Sequence, residues 1–151
     1  GCWVKADYRD FFAGGLNPFH WCLPVLKHRD HQAAIIQAAI SGNPKFFAGT
    51  DSAPHPQKNK LSGHAPAGIF GAPVAMSIYT AVFENAGSLD KLENFSSRYG
   101  ADFYKLPYNN SKITMIKEPW QVPSAYPLGG EKCVPLWAEK RLEWQLQQTD
   151  S

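Results

Sequence analysis

The sequence predicts an α/β chain on three observations. A helix-period stretch at 30–40 lies between two apolar runs, 19–26 and 45–50, so the order is strand, helix, strand. The second run, Lys45-Phe46-Phe47-Ala48-Gly49-Thr50, is nearly continuous and does not alternate, as expected of a strand buried on both faces of a parallel sheet. It ends abruptly at Asp51, where a long stretch rich in Pro, Gly, Ser, Lys and His begins.

Residues 1–18 are polar and aromatic, with Gly14-Gly15 and Asn17-Pro18, and read as a loop. Residues 19–26 read as a short strand or extended run broken by Pro24. Asp30 is the expected N-cap of a helix carrying Ala33, Ala34, Ile35, Ile36, Ala39 and Ile40, which Gly42 closes with Pro44 beyond it. After the 45–50 strand and the 51–71 loop, Pro73 suits the first turn of a helix with Val74, Ile78, Val82 and Phe83 on its apolar side, stopping near Gly87. Leu89, Leu92, Phe95 and Tyr99 mark a further helix from a Ser88 cap to Gly100. Beyond Pro107, prolines and a Gly129-Gly130 turn separate Ile113, Met115, Trp120, Val122, Val134, Leu136 and Trp137, which predicts extended segments and a hairpin. Leu142, Trp144 and Leu146 alternate with polar residues and predict a terminal strand with one face on the body.

Composition narrows the function classes. With 151 residues and 44% hydrophobic content, the chain fits one domain or part of one. Fifteen Lys and Arg and thirteen Asp and Glu are spread along the sequence for a net charge of +2, without the basic block that tracks a phosphate backbone, so nucleic acid and anionic membrane are disfavoured as partners. No run approaches the roughly 18 to 20 apolar residues of a membrane span, and the N-terminal residues are not a signal peptide. Cys2, Cys22 and Cys133 are odd in number and far apart, which suggests a reducing compartment rather than a disulfide framework or a cysteine zinc site. No G-x-S-x-G elbow, phosphate loop, dinucleotide fingerprint or H-E-x-x-H is present.

The most informative chemistry follows the 45–50 run. A carboxylate at the carboxyl end of a buried parallel strand occupies the place where α/β barrels put catalytic groups, and His55 follows one short turn later behind Pro54. Such a pair can ligate a metal, move a proton or bind an anion. Spacing alone leaves the plainer alternative open, in which Asp51 caps the Ser52-Ala53-Pro54 turn and His55 is a loop residue. His28 and His31 read as solvent-facing at a helix start, and His20 beside Cys22 matches no zinc pattern.

Taken residue by residue, Gly49-Thr50-Asp51-Ser52-Ala53-Pro54-His55 resembles the last-strand motif of the single-function, class II dihydroorotases of the amidohydrolase superfamily. Cys22-Leu23-Pro24-Val25-Leu26-Lys27 resembles the family's preceding segment, Ala67-Gly68-Ile69-Phe70-Gly71-Ala72-Pro73 its later loop, and Asp102-Phe103-Tyr104-Lys105-Leu106-Pro107 its helix-ending motif. The four occur in the family's order over nearly the whole chain, and Trp120-Gln121-Val122-Pro123 and Val134-Pro135 are similar to plant-like members.

The resemblance implies the last strands and helices of a TIM (β/α)8 barrel plus an extended C-terminal segment, with residues 1–151 forming the C-terminal part of one barrel domain whose N-terminal strands are missing. It implies zinc-dependent, reversible hydrolysis of L-dihydroorotate to N-carbamoyl-L-aspartate in pyrimidine biosynthesis, on two zinc ions. Asp51 is then both a zinc ligand and the catalytic base, His55 binds the substrate carboxylate, and Leu23 and Ala67 meet the dihydropyrimidine ring through backbone groups. A homodimer is implied for the complete enzyme, in the cytoplasm, or in a plastid or mitochondrion if a transit peptide precedes the segment.

Two departures stand out. Residues 56–66 replace a basic, cysteine-containing stretch of many relatives, and 138–142 replace an Ala-Gly-Glu-Thr turn. The family's H-x-H, carboxylated lysine and two further histidines have no counterpart, so the segment by itself is expected to be inactive. The competing readings are a non-catalytic interaction or scaffold module derived from the same fold, and another cyclic amidohydrolase of hydantoinase type.

Overall fold

The computed structural model describes residues 7–147. Five helices come first in the chain: α1 Tyr8–Phe12, α2 Arg29–Ile40, α3 Gln57–Lys60, α4 Ala75–Asn85 and α5 Tyr99–Tyr104. Six short strands follow: β1 Met115–Ile116, β2 Trp120–Gln121, β3 Tyr126–Leu128, β4 Glu131–Cys133, β5 Arg141–Leu142 and β6 Gln145–Leu146. They form three antiparallel pairs, β1 with β6, β2 with β5 and β3 with β4, in registers such as Met115 with Leu146 and Trp120 with Leu142. The class is mixed α/β.

Helix α4 is the centre of the core. A 3₁₀ turn over Ala72–Val74, carrying Pro73, leads into it. At its other end Gly87, at φ 62°, donates to the Glu84 carbonyl while Ser88 donates to that of Phe83, a Schellman closure that needs the left-handed residue glycine supplies. Ile78, Tyr79, Val82 and Phe83 are buried against Leu26, Ile69, Phe95, Val122, Leu136 and Leu142. The Phe83 and Phe95 rings lie 5.1 Å apart. Burying a side chain of this size contributes about 1.5–3 kcal/mol, so α4 rests on its packing more than on helix propensity.

Helix α2 packs Ile35, Ile36, Ala39 and Ile40 on that core and exposes its other face. Lys91 Nζ donates to the Ile40 carbonyl at 3.0 Å, which satisfies a carbonyl the helix end leaves unpaired, and the Tyr99 hydroxyl donates to the Gly42 carbonyl just beyond it at 2.8 Å. Its N-cap is His28 without a side-chain cap, and Asp30 sits in the first turn, where it meets the helix dipole instead of capping it.

Several expectations change. Residues 45–50 leave a turn at 44–45 and form no ladder: none of the described strands is parallel, Ala48 donates to the Phe95 carbonyl, and Phe46, Gly49 and Thr50 are exposed. An apolar run becomes a buried parallel strand only with neighbours on both sides, and no described segment pairs with this one. Residues 19–26 are likewise not a strand. Asn17 Oδ1 accepts from the Phe19 amide at 3.0 Å to start a 3₁₀ turn over Pro18–His20, and extended chain with a cis Leu23-Pro24 peptide follows. The stretch expected as one helix from a Ser88 cap to Gly100 is instead a 3₁₀ turn at Leu89–Lys91, a π-helical turn at Asn94–Arg98, and α5. It runs past Gly100 to stop at left-handed Lys105, φ 57°. The Ser88 hydroxyl donates back to the Ala86 carbonyl and caps nothing.

The hairpin at Gly129-Gly130 is present, with φ of 57° and 83° giving the doubly left-handed turn that matches strand twist. The terminal alternation resolves into two strands: Leu142 is buried, Trp144 half-buried and Leu146 exposed. Cys22 and Cys133 are buried, and Cys2 lies outside the described residues.

Candidate functional site

Three loops, 21–24, 51–55 and 66–72, come together where the described chain holds Leu23, Asp51, His55 and Ala67. Backbone hydrogen bonds stitch them. The Ala53 amide donates to the Ile69 carbonyl at 3.0 Å, and the Gly68 amide to that of Trp21 at 2.9 Å. Ser52 Oγ accepts from the amides of Gly71 at 3.1 Å and Ala72 at 3.0 Å, so a serine from a distant loop caps the turn that opens α4.

Asp51 stands at the start of this platform, exposed, at φ 46°. Asp is one of the few residues that enters the left-handed region without large cost, because its short polar side chain can hydrogen-bond locally. His55 is half-buried with Nε2 3.2 Å from the Ala67 carbonyl. A carbonyl only accepts, so Nε2 carries the proton in this contact, and Nδ1 can donate to an anion only from the imidazolium form. The structure thus brings His55 and Ala67 into contact. Leu23 is 64% exposed.

Two neighbours lie outside the sequence-derived set. Gly68, at φ 154°, passes so close to the 53–55 turn that a Cβ there would lie 2.8 Å from Ala53 Cβ and 2.9 Å from His55 Cδ2. Lys60, at the end of α3, is 3% exposed, and its ammonium donates to the carbonyls of Trp21, Pro66 and Gly68 at 3.1, 2.9 and 2.8 Å. Burial pushes it down to about 8. Lysine in a polar loop reads as a solvated side chain, so no sequence signal marks it; Gly68 was within a quoted motif, but its contact is not local.

The other histidines are placed differently. His20 is buried with Nδ1 2.9 Å from the Asp10 carbonyl, and burial lowers its pKa. His28 Nδ1 lies 3.2 Å from Asp30 Oδ2, and His31 and His64 are exposed. Among the described residues no three His, Cys, Asp or Glu side chains, Asp51 included, gather closely enough to hold a metal ion. A groove of about 500 Å³ lies between α4 and the 89–115 stretch, lined by Met76, Leu92, Arg98, Tyr108 and Met115 among others, and none of the four candidate residues lines it.

Fold and site together define a mixed α/β protein that presents an exposed carboxylate and a half-buried imidazole on a stitched loop platform. No family model matches the chain. It is 53% identical over 138 residues to a dihydroorotase of Coxiella burnetii, covering 91% of this chain and 40% of that protein. It is 52% identical over 134 residues to "Dihydroorotase, mitochondrial" of Arabidopsis thaliana, covering 89% of this chain and 36% of that protein. Among solved structures, dihydroorotase from Saccharomyces cerevisiae in complex with 5-fluoroorotic acid superposes with a TM-score of 0.85 at 32% identity, over 95% of this chain and 40% of that one. A dihydroorotase from Campylobacter jejuni gives 0.83 at 31%, over 96% and 42%. By sequence and by backbone the chain is similar to dihydroorotases, and it spans about two fifths of the length of the relatives it matches.

Proposed function

We propose that this chain is the C-terminal part of a dihydroorotase barrel and that its loop platform forms one side of the active site. The observation that carries the reading is that the four residues marked by the family motifs lie on three loops joined by their own hydrogen bonds, in a chain about half identical to dihydroorotases. The reaction adds water to the ring carbonyl of L-dihydroorotate, breaks the carbon–nitrogen bond and leaves N-carbamoyl-L-aspartate; it runs in reverse as a ring closure in pyrimidine biosynthesis.

In this reading Asp51 takes the proton of the attacking water and returns it to the departing nitrogen, since an amide nitrogen leaves poorly without one. His55, as imidazolium, pairs with the substrate carboxylate while its Nε2 stays on the Ala67 carbonyl. Backbone groups at Leu23 and Ala67 meet the ring edge, which fixes the carbonyl in front of Asp51.

Dihydroorotases are generally zinc enzymes, and zinc supplies hydroxide at neutral pH. The described residues do not fit that metal by themselves, because no three His, Cys, Asp or Glu side chains among them, Asp51 included, gather closely enough to hold it. We assign Asp51 as one ligand of a centre completed by sequence outside this segment. The partner is the small-molecule substrate; a homodimer and a cytoplasmic or organellar location are part of the same proposal. No described helix is long and apolar enough to cross a membrane.

The test is turnover of dihydroorotate by the full-length chain that carries this segment. Asp51→Asn should lower kcat by about 10²-fold or more with the fold kept. Loss of the charged contact in His55→Ala should mainly raise KM, by roughly 10- to 100-fold. Unimpaired turnover in Asp51→Asn would remove the mechanism. The 151-residue segment by itself should be silent in the same assay.

A further inference from the structure

We propose that Lys60 is a positioning residue for the substrate: its buried ammonium ties the 21–24 loop to the 66–68 loop, and so sets the separation between the backbone groups at Leu23 and Ala67. This rests on the reading of the platform given above.

The geometry carries it. Three bonds, to Trp21, Pro66 and Gly68, use all three protons of the ammonium. Two of the acceptors flank Ala67 on either side, and the third lies two residues before Leu23. A buried charge is costly unless paired or fully hydrogen-bonded, and among the described residues Lys60 makes no ion pair. The fold therefore keeps a cation where a neutral donor would cost less. What the cation provides there is three strong, converging bonds to carbonyls of two different loops. The backbone bond from Gly68 to Trp21 runs beside them, so the two loops are joined once directly and once through the ammonium, both links ending on the Trp21 carbonyl. Displacing reacting groups by about 1 Å can cost roughly 10²-fold in rate, which is why a clamp on backbone ligands matters.

The groups that face Lys60 electrostatically are Cys22 and His20. Near pH 8 the ammonium gives up its proton, and a neutral amine has two donors for three carbonyls. Substrate binding should then weaken on the alkaline side.

The experiment compares wild type, Lys60→Met and Cys22→Ala in the full-length protein, by KM and kcat for dihydroorotate across pH and by hydrogen exchange. Lys60→Met keeps the apolar stem and removes the donors. It should raise KM roughly tenfold or more with kcat within about threefold, and should speed exchange in 21–24 and 66–68 while α4 stays protected. Wild type and Cys22→Ala should both show KM rising through pH 8, and Lys60→Met should not. An unchanged KM or unchanged loop exchange in Lys60→Met overturns the proposal. Should that variant not fold, a flat wild-type KM profile through pH 8 overturns it instead. Loosened loops in Lys60→Met beside a wild type that does not turn over dihydroorotate would retain the clamp and remove the dihydroorotase reading.

Discussion

Gly68→Ala puts the packing of the platform to the test. The added methyl would lie 2.8 Å from both Ala53 Cβ and the Ala53 carbonyl oxygen, and 2.9 Å from His55 Cδ2. That is roughly 0.6 Å inside the 3.4 Å at which ordinary contact begins, and two of the three obstructing atoms sit on or next to the backbone. The Ala53 amide is tied to Ile69, so the 53–55 turn cannot move away without losing that bond. Overpacking of this kind costs about 1–3 kcal/mol, and an L side chain held at φ 154° adds about 1–3 kcal/mol, for a total of about 2–6 kcal/mol. Chemical denaturation of the full-length protein measures it. Adding Ala53→Gly removes one of the obstructing atoms, and the double variant should recover about 1 kcal/mol beyond additivity. A loss below about 0.5 kcal/mol for Gly68→Ala, or strict additivity in the cycle, would refute the claim that these loops are packed backbone to backbone.

Other perturbations probe other parts. Ser52→Ala leaves the Ala72 amide without its acceptor and the Gly71 amide with the Ile69 carbonyl alone; it should cost about 1–2 kcal/mol in denaturation and speed exchange in the first turn of α4, and equal exchange would contradict its capping role. Phe83→Ala opens the centre of the core and should cost about 3–5 kcal/mol by the same measurement. The Arg9 guanidinium holds Asp7 down to about 2 from 3.8, so the stability this carboxylate contributes is complete above pH 3.8 and is lost as pH falls through about 2. The stability difference between wild type and Asp7→Asn should shrink over that window, and a constant difference would argue against the pairing.

Local chemistry explains which features were readable in advance. Helices α2 and α4 carry their own periods and their own glycine stops, Gly42 and Gly87, and the Gly129-Gly130 hairpin needs nothing beyond its turn. Residues 45–50 misled because an apolar run states that burial is wanted without stating what covers it. Residues 88–104 broke into three helical types because the path between the Phe95 contacts and left-handed Lys105 is set by packing, not by composition. Of the candidate site, Asp51 and His55 were marked by the end of an expected strand that the described residues do not form, and Leu23 and Ala67 by the family motifs alone. Lys60 was hidden because its role lies in carbonyls six, eight and 39 residues away.

The left-handed backbone at Asp51 has a consequence for how this segment would tolerate change. Glycine relaxes such a position, so Asp51→Gly should make the protein about 1 kcal/mol more stable while removing the carboxylate. Asparagine is also at ease there, which makes Asp51→Asn a substitution of charge with little change in shape. Selection for stability alone would therefore favour glycine over aspartate at this position.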